Sequence, residues 1–135
     1  MLVLDTHAWV WFVSGSSKLR PDTITRMLDL IDDGRFLIPA MAVWEVAFLT
    51  EHGRLELSDA LETWIDRALD PMQFQLAPLT PEIAVAAARI PDRRLLDPAD
   101  RLIVATALVT GFPLATRDRQ IVDLSERTQL SLLPV

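Results

Sequence analysis

Asp97-Pro98-Ala99-Asp100-Arg101-Leu102-Ile103-Val104-Ala105-Thr106-Ala107 runs on through Leu108-Val109-Thr110-Gly111 to Phe112-Pro113-Leu114-Ala115-Thr116-Arg117-Asp118, and this stretch decides the fold. Asp97 before Pro98 reads as an N-cap, so a helix is expected from Ala99 to about Thr110, closed by Gly111. Pro113 to Ala115 then reads as a strand, and a short helix is expected from about Asp118 to Leu124. A helix feeding directly into a strand is one unit of a parallel sheet.

The same grammar extends outward. Leu2 to Leu4 is an apolar run ending in Asp5, read as a buried first strand. A helical stretch with Trp9, Trp11 and Phe12 follows, then the loop Ser14-Gly15-Ser16-Ser17. The spacing of Ile24, Met27, Leu28 and Ile31 predicts a helix from about Pro21 to Asp33, stopped by Gly34. Phe36 to Ile38 reads as a second strand, and Pro39 opens a helix to about His52. Ser58 or Asp59 is expected to cap a helix with Leu61, Trp64, Ile65 and Leu69 inward, ending at Pro71. Phe74 to Ala77 reads as the third strand, Thr80-Pro81 caps a helix through Ile90, and Leu130 to Leu133 reads as a fifth strand. The expected fold is therefore α/β: three layers, with a central parallel sheet of four to five strands and helices on both faces, in one domain over residues 1–135.

In such sheets ligands bind outside the carboxyl ends of the strands. Four acids are placed there. Asp5 ends the first strand and Asp118 lies just past the fourth. Glu45 is early in the helix after the second strand, and Asp100 is in the first turn of the helix that runs antiparallel into the fourth. Each has an ordinary explanation: the helix dipole favours Asp100, and Asp118 suits a helix cap. Asp97 is left out of the site as a cap. Asp5 is less easily explained, because strands disfavour Asp. Glu45 interrupts Met41-Ala42-Val43-Trp44 and Val46-Ala47-Phe48-Leu49, and an unpaired buried carboxylate costs several kcal/mol, so an arginine, a metal or a proton-sharing acid is required beside it. Crowded together, the four acids call for a divalent cation.

Composition narrows the setting. At 135 residues with mean hydropathy +0.25 the chain builds a real core, yet no apolar run approaches the roughly 20 residues that span a bilayer, so no membrane role is expected. There is no signal-peptide pattern in Met1-Leu2-Val3-Leu4-Asp5, and the absence of cysteine is compatible with the expected cytoplasmic location. A net charge of −6 argues against a protein that coats nucleic acid. A local rim of Arg89, Arg93, Arg94, Arg101, Arg117 and Arg119 remains available, and arginine's planar fork suits phosphate. The aromatic group Trp9, Trp11, Phe12, Trp44 and Phe48 reads most simply as core, with an exposed groove for a partner helix as the other reading. His7 and His52 are not spaced as a paired metal motif.

At four places the chain resembles the PIN-domain ribonucleases, and within them the VapC-type toxins of bacterial toxin–antitoxin pairs. These are Leu4-Asp5-Thr6-His7-Ala8, Trp44-Glu45-Val46-Ala47, Asp97 to Ala107, and Leu114-Ala115-Thr116-Arg117-Asp118. The resemblance implies that Asp5, Glu45, Asp100 and Asp118 are an acidic quartet holding Mg²⁺ or Mn²⁺, with Thr116 and Thr6 in support. It also implies an RNA substrate, a homodimer and a cognate antitoxin whose C-terminal segment lies in a groove beside the site. Arg117, between Thr116 and Asp118, is not general to the pattern.

The expected activity is thus metal-dependent endoribonucleolytic cleavage, with Asp5 and Asp100 as direct metal ligands and Arg101 and Arg117 as phosphate contacts. Two alternatives differ in class. An aspartyl-phosphate phosphatase would use Asp5 as nucleophile, but His7 stands where a second Asp is wanted and Lys18 is the only lysine. A non-catalytic interaction module would leave the acids as caps.

Overall fold

A computed structural model describes residues 1–32, 34–91 and 97–135. Five strands, β1 (Leu2–Leu4), β2 (Phe36–Pro39), β3 (Phe74–Ala77), β4 (Leu114–Thr116) and β5 (Leu132–Pro134), form one sheet in the order β3-β2-β1-β4-β5. Every pairing is parallel. Among the described residues the connections carry α1 (Thr6–Ser14), α2 (Pro21–Ile31), α3 (Ala40–Glu51), α4 (Leu61–Ala68), α5 (Pro81–Ala88), α6 (Pro98–Thr110) and α7 (Arg119–Ser125). The expected α/β architecture, with helices on both faces of the sheet, is what forms.

Burial along the strands explains the layering. Successive strand residues point to opposite faces, and Leu2, Val3 and Leu4 are all 0% exposed, so both faces of β1 are covered. Edge strand β3 is different: Gln75 and Leu76 stay exposed. Trp9 anchors α1 in the core, edge-on to Trp64 and with its indole N–H donating to the Ala68 carbonyl at 2.9 Å. Phe12, Phe36 and Phe74 tie α1 to β2 and β3.

Helix boundaries follow local chemistry, with one correction. Thr80 and Asp97 cap α5 and α6 as expected, each followed by proline. Neither Ser58 nor Asp59 caps α4; Ala60 stands at that position, and Asp59 instead pairs with Arg67 one helical face away. The expected end of the second helix at Asp33 lies outside the described residues, as do Arg93 and Arg94 of the arginine rim. Gly111 closes α6 with φ +75°, and no atom lies within 4 Å of an added Cβ there. Gly111→Ala therefore meets backbone strain alone and is expected to lower stability by about 1 kcal/mol, read from the urea midpoint.

The strand order positions the site. From β1 the chain steps to β2 and β3 on one side, and β4 joins on the other, so strand order reverses between β1 and β4. Neighbouring connections diverge above such a reversal and leave a crevice at the carboxyl ends. Asp5 and Asp118 flank that crevice.

Candidate active site

Asp5 sits at the join of β1 and β4. Its backbone N–H donates to the Ala115 carbonyl at 3.2 Å, which holds the side chain beside Thr116. One carboxylate oxygen accepts from the Ala8 N–H at 2.8 Å, making Asp5 the N-cap of α1, and the other accepts from the Thr116 hydroxyl. Thr116 also accepts from the Asp118 N–H at 3.1 Å, so one hydroxyl links both acids. Opposite them, the Thr6 hydroxyl donates to Glu45. Glu45 is half-buried, and its hydrogen-bond partner is the Thr6 hydroxyl, which leaves room for a cation at the rest of the carboxylate.

Asp118 and Asp97 repeat the capping geometry. Asp118 accepts from the Gln120 N–H and Asp97 from the Ala99 N–H, each at 2.8 Å. Three helices, α1, α6 and α7, begin at the same edge, and their amide-rich N-termini face the acids. Capping and clustering are therefore compatible explanations of the same carboxylates.

A cleft of about 420 Å³ is lined by Asp5, Glu45, Asp97, Asp100 and Asp118, together with Thr6, His7, Trp11, Ile103 and Arg117. The four predicted acids line one cavity. Burial pushes the Asp5 carboxyl above its ordinary value, against the lowering pull of its bonds to Thr116 and Ala8 and of nearby His7. Asp100 rises to about 7, first through desolvation and then through repulsion from Asp97, Glu45, Asp118 and Asp5. Asp97 is the strongest of those repelling charges, although its place as a helix cap gave no sign in sequence that it borders the cleft. Salt bridges among the described residues, Arg20–Asp22 and Arg67–Asp59, lie elsewhere.

The PIN domain family model matches residues 2–127. The chain belongs to the PIN domain family. This PIN domain is 28% identical over 120 residues to Ribonuclease VapC22 of Mycobacterium tuberculosis, covering 89% of this chain and 88% of that protein. Its fold is similar to a chain of the VapBC2 structure from Rickettsia felis, with TM-score 0.70 at 14% identity over 98% of this chain and 96% of that one. VapBC-1 from nontypeable Haemophilus influenzae gives TM-score 0.68 at 18% identity, again over 98% and 96%.

The two arginines predicted to contact phosphate separate in the PIN fold. Arg101 does not line the cleft; its Nη1 donates to the Ala87 and Ile90 carbonyls at 3.1 and 3.0 Å, tying α6 to the end of α5. Arg117 does line it, with its guanidinium 4.4 Å from the Trp11 ring centroid. Its Nε donates to the Val135 carbonyl at 2.7 Å and its Nη2 to the Lys18 carbonyl. The arginine between Thr116 and Asp118 therefore joins the C-terminal strand to the loop after α1 while presenting positive charge to the cleft.

The all-carboxylate donor set suits a hard cation. Among the described residues no three acidic, histidine or cysteine side chains form a ready-made metal cage. Thr116→Val would remove the hydroxyl that donates to Asp5 and is expected to lower metal affinity about tenfold, measured by calorimetric titration.

Proposed function

We propose that this PIN domain is a metal-dependent endoribonuclease and the toxin of a toxin–antitoxin pair, acting on RNA in the cytoplasm. The single observation that carries the reading is the cleft itself: Asp5, Glu45, Asp100 and Asp118 reach it from four separate segments, and Asp100 is raised to about 7 first by burial and then by the surrounding acids, Asp97 foremost. Asp5 and Asp100 would hold Mg²⁺ or Mn²⁺ directly, with Glu45 and Asp118 acting directly or through water. When bound, the cation supplies an activated water and neutralises charge on the scissile phosphate.

The chain's own residues do the rest. Thr116 and Thr6 each donate their one hydroxyl hydrogen to a carboxylate, which fixes Asp5 and Glu45 in orientation. Asp100, raised to about 7 while no cation is bound, gains its charge as pH rises through neutrality, so its hold on a cation strengthens in the same range. Arg117 offers positive charge at the cleft wall for an adjacent phosphate. As for partners, the likeness to chains of the VapBC2 and VapBC-1 structures and to a named VapC ribonuclease supports a cognate antitoxin; a homodimer is part of the same proposal and rests on the sequence resemblance alone.

No helix among the described residues is long and apolar enough to cross a membrane. The test is cleavage of single-stranded and structured RNA with Mg²⁺, with EDTA, and with Mg²⁺ restored. Magnesium-dependent internal cuts are expected. Persistence of all cleavage in EDTA, or no cutting of any RNA in Mg²⁺, would overturn the proposal.

A further inference from the structure

The acid cleft has an aromatic neighbour that the proposed chemistry does not use. Trp44 and Phe48 are 53% and 38% exposed, so for these two the core reading fails and the reading as exposed surface holds. Their rings stack with centroids 4.9 Å apart at 25°, and Phe48 stacks in turn on His52 at 4.1 Å and 27°. Phe48 thus backs one face of the indole. Trp44 is also a wall of a second cavity, of about 200 Å³, completed by Met41, Asp97, Pro98 and Ala99. Asp97 lines both cavities, so the slot is next to the acid cleft.

We propose that this slot binds one unpaired nucleobase of the RNA, stacked on Trp44, beside the phosphate held in the acid cleft. The inference rests on the nuclease reading and deepens it. Size favours a single ring system: the slot, at about 200 Å³, is below the roughly 300–1,000 Å³ of pockets that take larger ligands. Charge favours it as well. On an acidic protein the sugar–phosphate backbone gains little general attraction, whereas stacking uses the uncharged face of a base.

Asp97 adds a hydrogen-bond acceptor to the slot, one of its oxygens already accepting from the Ala99 N–H. The amino hydrogens of adenine, cytosine and guanine and the N3–H of uracil can all meet it, so the preference comes from stacking, which favours the larger face of adenine over uracil.

The experiment compares cleavage kinetics of single-stranded oligoadenylate and oligouridylate by the full chain and by Trp44→Ala, Trp44→Phe and Asp97→Asn, alongside equilibrium binding of the same fluorescein-labelled oligonucleotides. Trp44→Ala is expected to raise KM at least about tenfold, with the loss carried by KM rather than kcat, and Trp44→Phe to restore most of it. Asp97→Asn retains a capping residue and an acceptor carbonyl, and is expected to raise KM less than Trp44→Ala does. An unchanged KM in Trp44→Ala overturns the inference, as does a loss confined to kcat. So does a Trp44→Ala variant that keeps RNA affinity but no longer binds a coexpressed partner protein, which would make the face a protein-docking surface. If the unaltered chain cuts no RNA, the nuclease reading fails on its own; Trp44-dependent binding of oligoadenylate then retains the base slot, and Trp44-independent or absent binding overturns that too.

Discussion

Asp5→Asn is expected to abolish RNA cleavage, with the rate falling on the order of 10³-fold, while the protein remains folded. The size follows from charge. Holding a divalent cation against a phosphate is worth several kcal/mol in the transition state, and a neutral amide cannot balance that cation. The fold is spared because asparagine reproduces the local bonds. Its carbonyl can accept from the Ala8 N–H, and its amide can donate to Thr116 Oγ1 once the hydroxyl turns round. Burial already penalises the Asp5 charge, so the metal-free variant is expected to melt at or above the temperature of the unaltered chain. Gel assays of RNA cleavage and thermal melts read the two arms separately. A fully active variant would remove Asp5 from the site.

Asp100→Asn is expected to lower cleavage by on the order of 10²–10³-fold and also to flatten the pH dependence of metal-free stability. Asp100 titrates at about 7 in the folded chain against an ordinary 3.8. Its contribution to stability is fully present below the unfolded value, where both states hold the proton, and is lost as pH rises through about 7. Asp5 is shifted in the same direction and adds to the same slope. With the partial exposure of Asp100 and solvent screening discounted, its share of the loss is about 1–2 kcal/mol. Thermal melts in EDTA between about pH 5 and about pH 8 are expected to fall less for Asp100→Asn than for the unaltered chain. Mg²⁺ should raise the melting temperature more at the alkaline end, where the carboxylates are already ionised. A variant with an undiminished slope would remove Asp100 as the source.

Much of the fold was legible because its signals are local. Asp97-Pro98 and Thr80-Pro81 start helices, Gly111 stops one, and the run Leu2 to Leu4 is apolar without alternation because both faces of its strand are covered. The four acids could be placed at one edge once strands and helices alternated. Capping was less readable. Asp5 gave no sign of being an N-cap, and Ser58 or Asp59 seemed better caps than Ala60, because a carboxylate's choice between an amide and a distant arginine depends on tertiary geometry.

The aromatic residues show the same limit more plainly. Helix α3 is apolar almost all the way round, through Met41-Ala42-Val43-Trp44 and Val46-Ala47-Phe48-Leu49. Without a polar face there is no contrast to say which side meets the core. The structure buries Ala42 and Val46 and leaves Trp44 and Phe48 outward, converting expected core into an exposed stack. Arg101 is a parallel case: its charge and its nearness to Asp100 suggested phosphate, and packing turned it to the end of α5.

Sequence by itself determined the order of elements, the parallel sheet and the edge at which the acids gather, because apolar periodicity, prolines and glycines act within a few residues. Tertiary structure alone decided which hydroxyl holds which carboxylate, that Asp97 borders two cavities, and which arginine faces the cleft. Those outcomes depend on side chains from distant segments competing for the same few ångströms, a competition that only the packed sheet and helices resolve.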